Sequence, residues 1–169
     1  MTDRARDADR RALVLLRTRL RHPGLERALA LYSRTGEYGR VWIALALAGA
    51  LVDRRRRGRW LWAAFCVPLT LVLNFGIKQA VRRSRPRLEG IEAAGVLPAS
   101  LSFPSAHAAT SFAAAAVLGA LCHPLRAPLH LAAALMAFSR PYLGVHYPSD
   151  VIAGSAVGAV LGRLLARLR

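Results

Sequence analysis

Pro104-Ser105-Ala106-His107-Ala108-Ala109-Thr110-Ser111-Phe112-Ala113-Ala114-Ala115-Ala116-Val117-Leu118-Gly119-Ala120-Leu121-Cys122 opens on a proline and a short polar turn, then runs almost wholly apolar. Pro104 stands where a helix starts, and Ser105, Ala106 and His107 fall in its first turn. The backbone N–H groups of a first turn have no intrahelical partner, so they make a ready anion site. The remainder has the length and polarity of a bilayer span. This stretch therefore predicts an all-α, multi-pass membrane helical bundle whose polar chemistry sits at helix ends.

Four further apolar segments flank it. Residues 38–52 form the first, short for a span, and it ends at Asp53 and the arginines 54–57. Trp60 to about Ile77 is the second, with Trp60 and Trp62 placed as interfacial anchors. Residues 127–139 form the fourth, stopping at Pro141, and residues 148–163 the fifth. About five transmembrane helices are expected. Gly154, Gly158 and Gly162 share one face of the last, which either permits close helix packing in lipid or is merely tolerated there.

Before these spans, residues 8–21 read as an amphipathic Arg-rich helix carrying Leu13, Leu16 and Leu20. His22-Pro23-Gly24 breaks it, and a second short helix follows with Leu25, Ala28, Leu29 and Tyr32 on one face. Arginine is too frequent here for hydrocarbon, so both pieces are expected to lie on the membrane surface. The expected organisation is a basic interfacial segment, 1–37, and a transmembrane domain, 38–169. No cleavable signal peptide is expected at the start.

Hydrophobic residues make up 54% of the chain and the net charge is +16. The arginines flank apolar segments rather than forming a soluble basic face, so the charge points to anionic lipid or phosphate and not to nucleic acid. Cys66 and Cys122 lie inside apolar stretches, as small hydrophobes do. No Cys/His spacing suits zinc, and neither a metal nor a cofactor is expected.

Three polar clusters interrupt the apolar chain: Lys78-x6-Arg85-Pro86, Pro104-Ser105-Ala106-His107, and Ser139-Arg140-x5-His146-x3-Asp150. Lys78, Arg82 and Arg85 are spaced to share one helix face, with Pro86 ending the helix. Arg85 and Arg140 bring forks suited to phosphate oxygens, and Lys78 a point charge. His146 and Asp150 are four apart, so the carboxylate can fix the ring's tautomer and leave the other nitrogen free to attack. His107 can donate a proton to a leaving oxygen. Each cluster alone has a plainer explanation: a basic membrane flank, a Ser cap, a His–Asp cap. His22, His123 and His130 have no such neighbours and read as structural. Alternate crossing of the spans brings all three clusters to one membrane face.

In this order the clusters resemble the signature of the type 2 phosphatidic acid phosphatase family, the lipid phosphate phosphatases. Ala106 stands where that pattern has glycine. The resemblance covers residues 78–150 tightly. It implies a metal-independent enzyme with a phosphohistidine intermediate: His146 as nucleophile, Asp150 as its orienter and His107 as general acid. Lys78, Arg85, Ser105, Ala106 and Arg140 would bind phosphate. Arg82, Arg83 and Arg87 fall outside the pattern and are assigned no catalytic part.

The expectation is an integral membrane phosphatase that removes a terminal phosphate from a lipid phosphate or diphosphate. Polyprenyl phosphate is preferred over phosphatidylglycerol phosphate and phosphatidic acid. A phosphotransferase using the same phosphohistidine, a vanadate haloperoxidase and a non-catalytic scaffold are the rivals. Positive charge is spread over both faces, and the resemblance places the site on the extracytoplasmic face of the cell membrane.

Overall fold

A computed structural model describes residues 3–88, 93–94 and 101–168. Its described residues form seven α-helices: α1 Asp3–Thr18, α2 Pro23–Thr35, α3 Arg40–Val52, α4 Arg57–Val81, α5 Ala106–Leu121, α6 Arg126–Tyr142 and α7 Pro148–Arg167. Short 3-10 turns precede α3, α4 and α6. The fold is all-α. Two stretches, Arg54–Val81 and Pro148–Arg167, are long and apolar enough to cross a membrane, and α5 is apolar but shorter.

Proline and glycine set most helix ends. Gly39 takes a left-handed φ of +71° where α3 begins, and a Cβ there would lie 2.2 Å from Val67 Cγ1. His22 caps α2, its Nδ1 accepting from the Leu25 amide at 3.4 Å. Two boundaries differ from the sequence reading. α4 stops at Val81 because Arg82 adopts a left-handed φ of 52°. Arg85 thus lies beyond the helix, and Lys78, Arg82 and Arg85 do not share a helical face. α6 runs through Pro141 to Tyr142, so the proline falls in its last turn rather than after it.

α5 is the central helix, in contact with α3, α4, α6 and α7. Its Ala-rich sequence lets four neighbours approach, and ten of its residues are buried. The α5–α7 contact is the tightest. A Cβ at Gly154, Gly158 or Gly162 would lie 2.5, 2.1 or 2.6 Å from the carbonyl oxygens of Ser105, Ala109 and Ala113. These glycines therefore serve backbone-to-backbone packing, with one helix seated against carbonyls of the other.

An apolar core coexists with buried polar residues and with a large exposed apolar surface. Thr70, Asn74, Lys78, Ser111, Arg140, His146 and Asp150 are buried, whereas Val52, Phe65, Val72, Leu131 and Ile152 are more than half exposed. Exposed apolar side chains around buried polar ones suit a bundle surrounded by lipid. Trp60, expected as a surface anchor, is instead buried against Gly49 and donates to Asp53 Oδ2 at 3.2 Å. Cys66 is buried and Cys122 partly so, and both are free thiols.

α1 and α2 pack against the bundle along one face. Asp9, Leu13 and Arg17, spaced four apart, are buried. Arg17 donates to the Tyr142 carbonyl at 3.0 Å and to Glu26 Oε1 at 3.4 Å. Tyr142 Oη donates to the Leu20 carbonyl at 3.1 Å and accepts from the His22 amide at 3.0 Å. Tyr32 Oη donates to the Ala132 carbonyl at 2.8 Å.

Substituting Gly158 by leucine drives a side chain into the Ala109 carbonyl. The expected loss is about 1–3 kcal/mol or more, because backbone must move. Thermal unfolding in detergent should show a clear fall in Tm for Gly158→Leu, and a change of less than a degree or two would refute the tight contact.

Candidate active site

One end of the bundle gathers the polar clusters. Lys78 closes α4, Arg85 follows it, Ser105 caps α5, Arg140 ends α6, and His146 precedes α7. A cavity of about 800 Å³ opens there. Lys78, Arg85, Ala106, His107, Arg140 and His146 all line it. Ser105 and Asp150 are fully buried just behind. All eight candidate residues therefore meet at one place.

The tautomer of His146 follows from its neighbours. Arg85 Nη1 lies 3.0 Å from His146 Nε2 and donates to the Val145 carbonyl at 2.7 Å. A guanidinium has only donors, so Nε2 must be the lone-pair nitrogen and the proton sits on Nδ1. Nδ1 faces Asp150 Oδ2 at 3.4 Å, longer than a formed hydrogen bond. Burial first, then the positive charges of Arg85, Arg140 and Lys78, hold the His146 imidazole well below its ordinary range. It is a neutral ring with its free nitrogen turned toward a cationic cavity.

Asp150 is held at both oxygens. Oδ2 accepts from the Tyr147 amide at 2.9 Å, and Oδ1 accepts from Arg83 Nη1 at 2.7 Å. Arg83, which falls outside the sequence pattern, thus turns inward toward the site. Its other nitrogen, Nη2, meets Asp9 Oδ2 at 2.8 Å, and its guanidinium lies 4.1 Å from the Tyr147 ring centroid. Asp9 also accepts from the Ser149 amide at 2.9 Å and from the Ser149 hydroxyl.

On the far side, Arg140 Nη1 donates to the hydroxyl of Ser33 from α2, and the Ser33 carbonyl faces the His107 ring. Lys78 Nζ donates to the carbonyls of Leu101 and Ser102 at 2.5 and 3.2 Å. Ser105 Oγ accepts from the Ala108 amide at 3.5 Å, so it does cap α5. Its own amide donates to the Asp150 carbonyl at 2.9 Å, which ties the starts of α5 and α7 together.

Among the described residues, four buried polar atoms on the cavity lining have no hydrogen-bond partner: Asn74 Oδ1, His107 Nε2, Arg140 Nε and His146 Nδ1. Orphans at this density are costly unless a polar ligand meets them. Arg140 Nε is a donor, and with Lys78, Arg85 and Arg140 lining the same cavity the matching ligand is an oxyanion, whereas Asn74 Oδ1 can only accept. No group of three or more His, Cys, Asp or Glu able to hold a metal occurs among the described residues.

Sequence reasoning missed Ser33, Asn74, Arg83, Asp9 and Ser149. Only Asp9 had a signal, its four-residue spacing with Leu13 and Arg17.

The PAP2 superfamily model matches residues 59–169, which hold all eight candidate residues. The chain belongs to the PAP2 superfamily. Decaprenylphosphoryl-5-phosphoribose phosphatase of Mycobacterium tuberculosis is 43% identical to this PAP2 chain over 143 residues, 85% of this chain and 80% of that protein. The PAP2-type phosphatidylglycerolphosphate phosphatase of Bacillus subtilis shares the fold with a TM-score of 0.81 at 24% identity, covering 99% of this chain and 87% of that one. Aquifex aeolicus LpxE superposes with a TM-score of 0.77 at 28% identity, covering 93% of each chain. This PAP2 chain is a membrane lipid phosphatase, of a metal-independent family.

A neutral, oriented imidazole sets a pH expectation. The acid limb of kcat/KM should fall below the ordinary imidazole value of about 6.5. Arg85→Gln, which removes a nearby cation, should move that limb upward and weaken inhibition by vanadate. A limb fixed at the ordinary value in both proteins would count against this electrostatic account.

Proposed function

We propose that this chain cleaves the terminal phosphomonoester of a polyprenylphosphoryl sugar phosphate of the decaprenylphosphoryl-5-phosphoribose type, through a phosphohistidine on His146. The observation that carries the chemistry is the His146 geometry: a lone-pair nitrogen facing a cationic cavity, with Asp150 behind the protonated one. The mycobacterial relative's substrate supports the lipid. So does the cavity, which runs from the charged end past Asn74 and Thr110 to the apolar Leu71, Val72 and Phe75.

In this reading the phosphoryl group sits among Lys78, Arg85 and Arg140, with the Ser105 hydroxyl and the Ala106 amide completing the oxygen contacts. Arg85 swings from Nε2 to the phosphate as substrate enters. Nε2 attacks phosphorus in line, the bond from phosphorus to the sugar oxygen breaks, and His107 delivers a proton to that oxygen. Asp150 stabilises the positive charge that builds on the His146 ring. In the second half, His107 takes a proton from water, the water oxygen attacks phosphorus, and His146 leaves as the neutral ring with inorganic phosphate as product. The cations supply charge stabilisation, usually the largest contribution in phosphoryl transfer.

The membrane arrangement proposed is five spans, α3 to α7, with α1 and α2 along the surface and the site on the extracytoplasmic face. Exposed aliphatic side chains on α3, α4, α6 and α7 support the spans. A cysteine introduced at residue 90 should then react with an impermeant maleimide added outside intact cells, and labelling only after lysis would reverse the orientation.

Phosphate release in detergent with EDTA tests the chemistry. Decaprenylphosphoryl-5-phosphoribose should give a higher kcat/KM than polyprenyl phosphate, polyprenyl diphosphate, phosphatidylglycerol phosphate or phosphatidic acid. His146→Ala should lower kcat by about a thousandfold or more. Loss of activity in EDTA, or survival of it in His146→Ala, would sink the mechanism. Phosphate appearing only on an added acceptor would make the protein a phosphotransferase.

A further inference from the structure

The N-terminal helix reaches the centre of the site through a chain of charges. Asp9 of α1 is 6% exposed, and Asp150 is 0% exposed. Between them Arg83 donates one nitrogen to each, at 2.8 Å to Asp9 and 2.7 Å to Asp150. Burial alone would raise the Asp9 carboxyl. The Ser149 hydroxyl, the Arg83 guanidinium and the Ser149 amide together outweigh it and keep Asp9 below the usual carboxylate range. The charges alternate along the line Asp9, Arg83, Asp150, and they end on the ring nitrogen that carries the His146 proton.

We propose that Arg83 and Asp9 are positioning residues for phosphoryl transfer, with Arg83 orienting the Asp150 carboxylate toward His146 Nδ1 and Asp9 holding Arg83 in place. The inference rests on the reading of His146 as nucleophile and Asp150 as its orienter. Three observations carry it. Arg83 is the side-chain cation bonded to Asp150, so it fixes which carboxylate oxygen is left to face the ring. Asp9 holds two parts of the arrangement at once, the guanidinium and the amide of Ser149 in the first turn of α7. The Ser149 amide and hydroxyl in turn fix the Asp9 carboxylate where it meets Arg83. Finally, Arg83 lacks the cavity position held by Arg85 and Arg140, which suits a part in orientation rather than in phosphate binding.

Positioning predicts a split between kinetic constants. Arg83→Gln should lower kcat by roughly ten- to a hundredfold, the scale of a small misplacement of a reacting group. KM should stay within about twofold, because the phosphate-binding cations are untouched. Asp9→Asn should lower kcat less, and should add nothing in an Arg83→Gln background, since its effect runs through Arg83. Asp9→Glu should recover part of the loss. Arg82→Gln, the same charge change on the exposed neighbour, should leave both constants unchanged. The assay is phosphate release in detergent from decaprenylphosphoryl-5-phosphoribose, with Tm measured on every variant.

An unchanged kcat in Arg83→Gln, or independent effects of Asp9 and Arg83, would overturn the inference while leaving His146 chemistry standing if His146→Ala is dead. Activity in His146→Ala would overturn the underlying reading instead. If Arg83→Gln does not fold, Arg83→Lys reads the same question, since an ammonium cannot bridge both carboxylates with two nitrogens. A fall in kcat at constant KM is then expected, and wild-type kcat would overturn the proposal.

Discussion

The contact between α5 and α7 is the constraint on which the rest depends. Three glycines of α7 lie against the carbonyls of Ala109 and Ala113 in α5 and of its cap Ser105, at a separation no side chain tolerates. In lipid there is little hydrophobic drive between helices, so such packing has to come from close van der Waals fit. The same approach brings the first turns of the two helices together, and the Ser105 amide reaches the Asp150 carbonyl. His107 at the start of α5 and His146 just before α7 can therefore face one cavity. Widening this seam would separate the two imidazoles.

The cations create a second requirement. Lys78, Arg85 and Arg140 repel one another around a partly desolvated space, and the neutral His146 ring adds no charge to balance them. The protein answers locally: Lys78 rests on two carbonyls, Arg85 on the Val145 carbonyl, and Arg140 on the Ser33 hydroxyl. The direct hydrogen-bond acceptors are neutral, and the carboxylates of Asp150 and Glu37 nearby offset only part of the charge. An arriving phosphate is then the strongest available partner for all three, and its binding relieves repulsion already present.

The apolar segments were legible because hydrophobicity and proline are local signals. The stretch from Trp60 to Ile77 became Arg57–Val81, and residues 148–163 became Pro148–Arg167. The gathering of the eight candidate residues at one end was legible because their three clusters fall at the ends of successive apolar segments. Arg83 was not, because its direction depends on the left-handed turn at Arg82, which shifts every following side chain off the helical face. The sequence reading placed Arg85 on that face for the same reason. Asp9 and Ser33 act across more than a hundred residues of chain, on α7 and α6, and no local pattern encodes a partner at that distance. The glycine spacing on α7 left two readings open, and only the carbonyls of the facing helix decided between them.

Tyr38, Val72 and Phe75 border the cavity and are each more than half exposed on the outside of the bundle. A ligand with a long hydrocarbon tail meets this opening sideways, while still dissolved in the membrane. What the protein encounters is then a two-dimensional concentration, the fraction of lipids that are substrate, and not moles per litre of solution. Diluting the substrate with inert lipid at fixed total amount would slow turnover, whereas diluting the whole suspension with buffer would not.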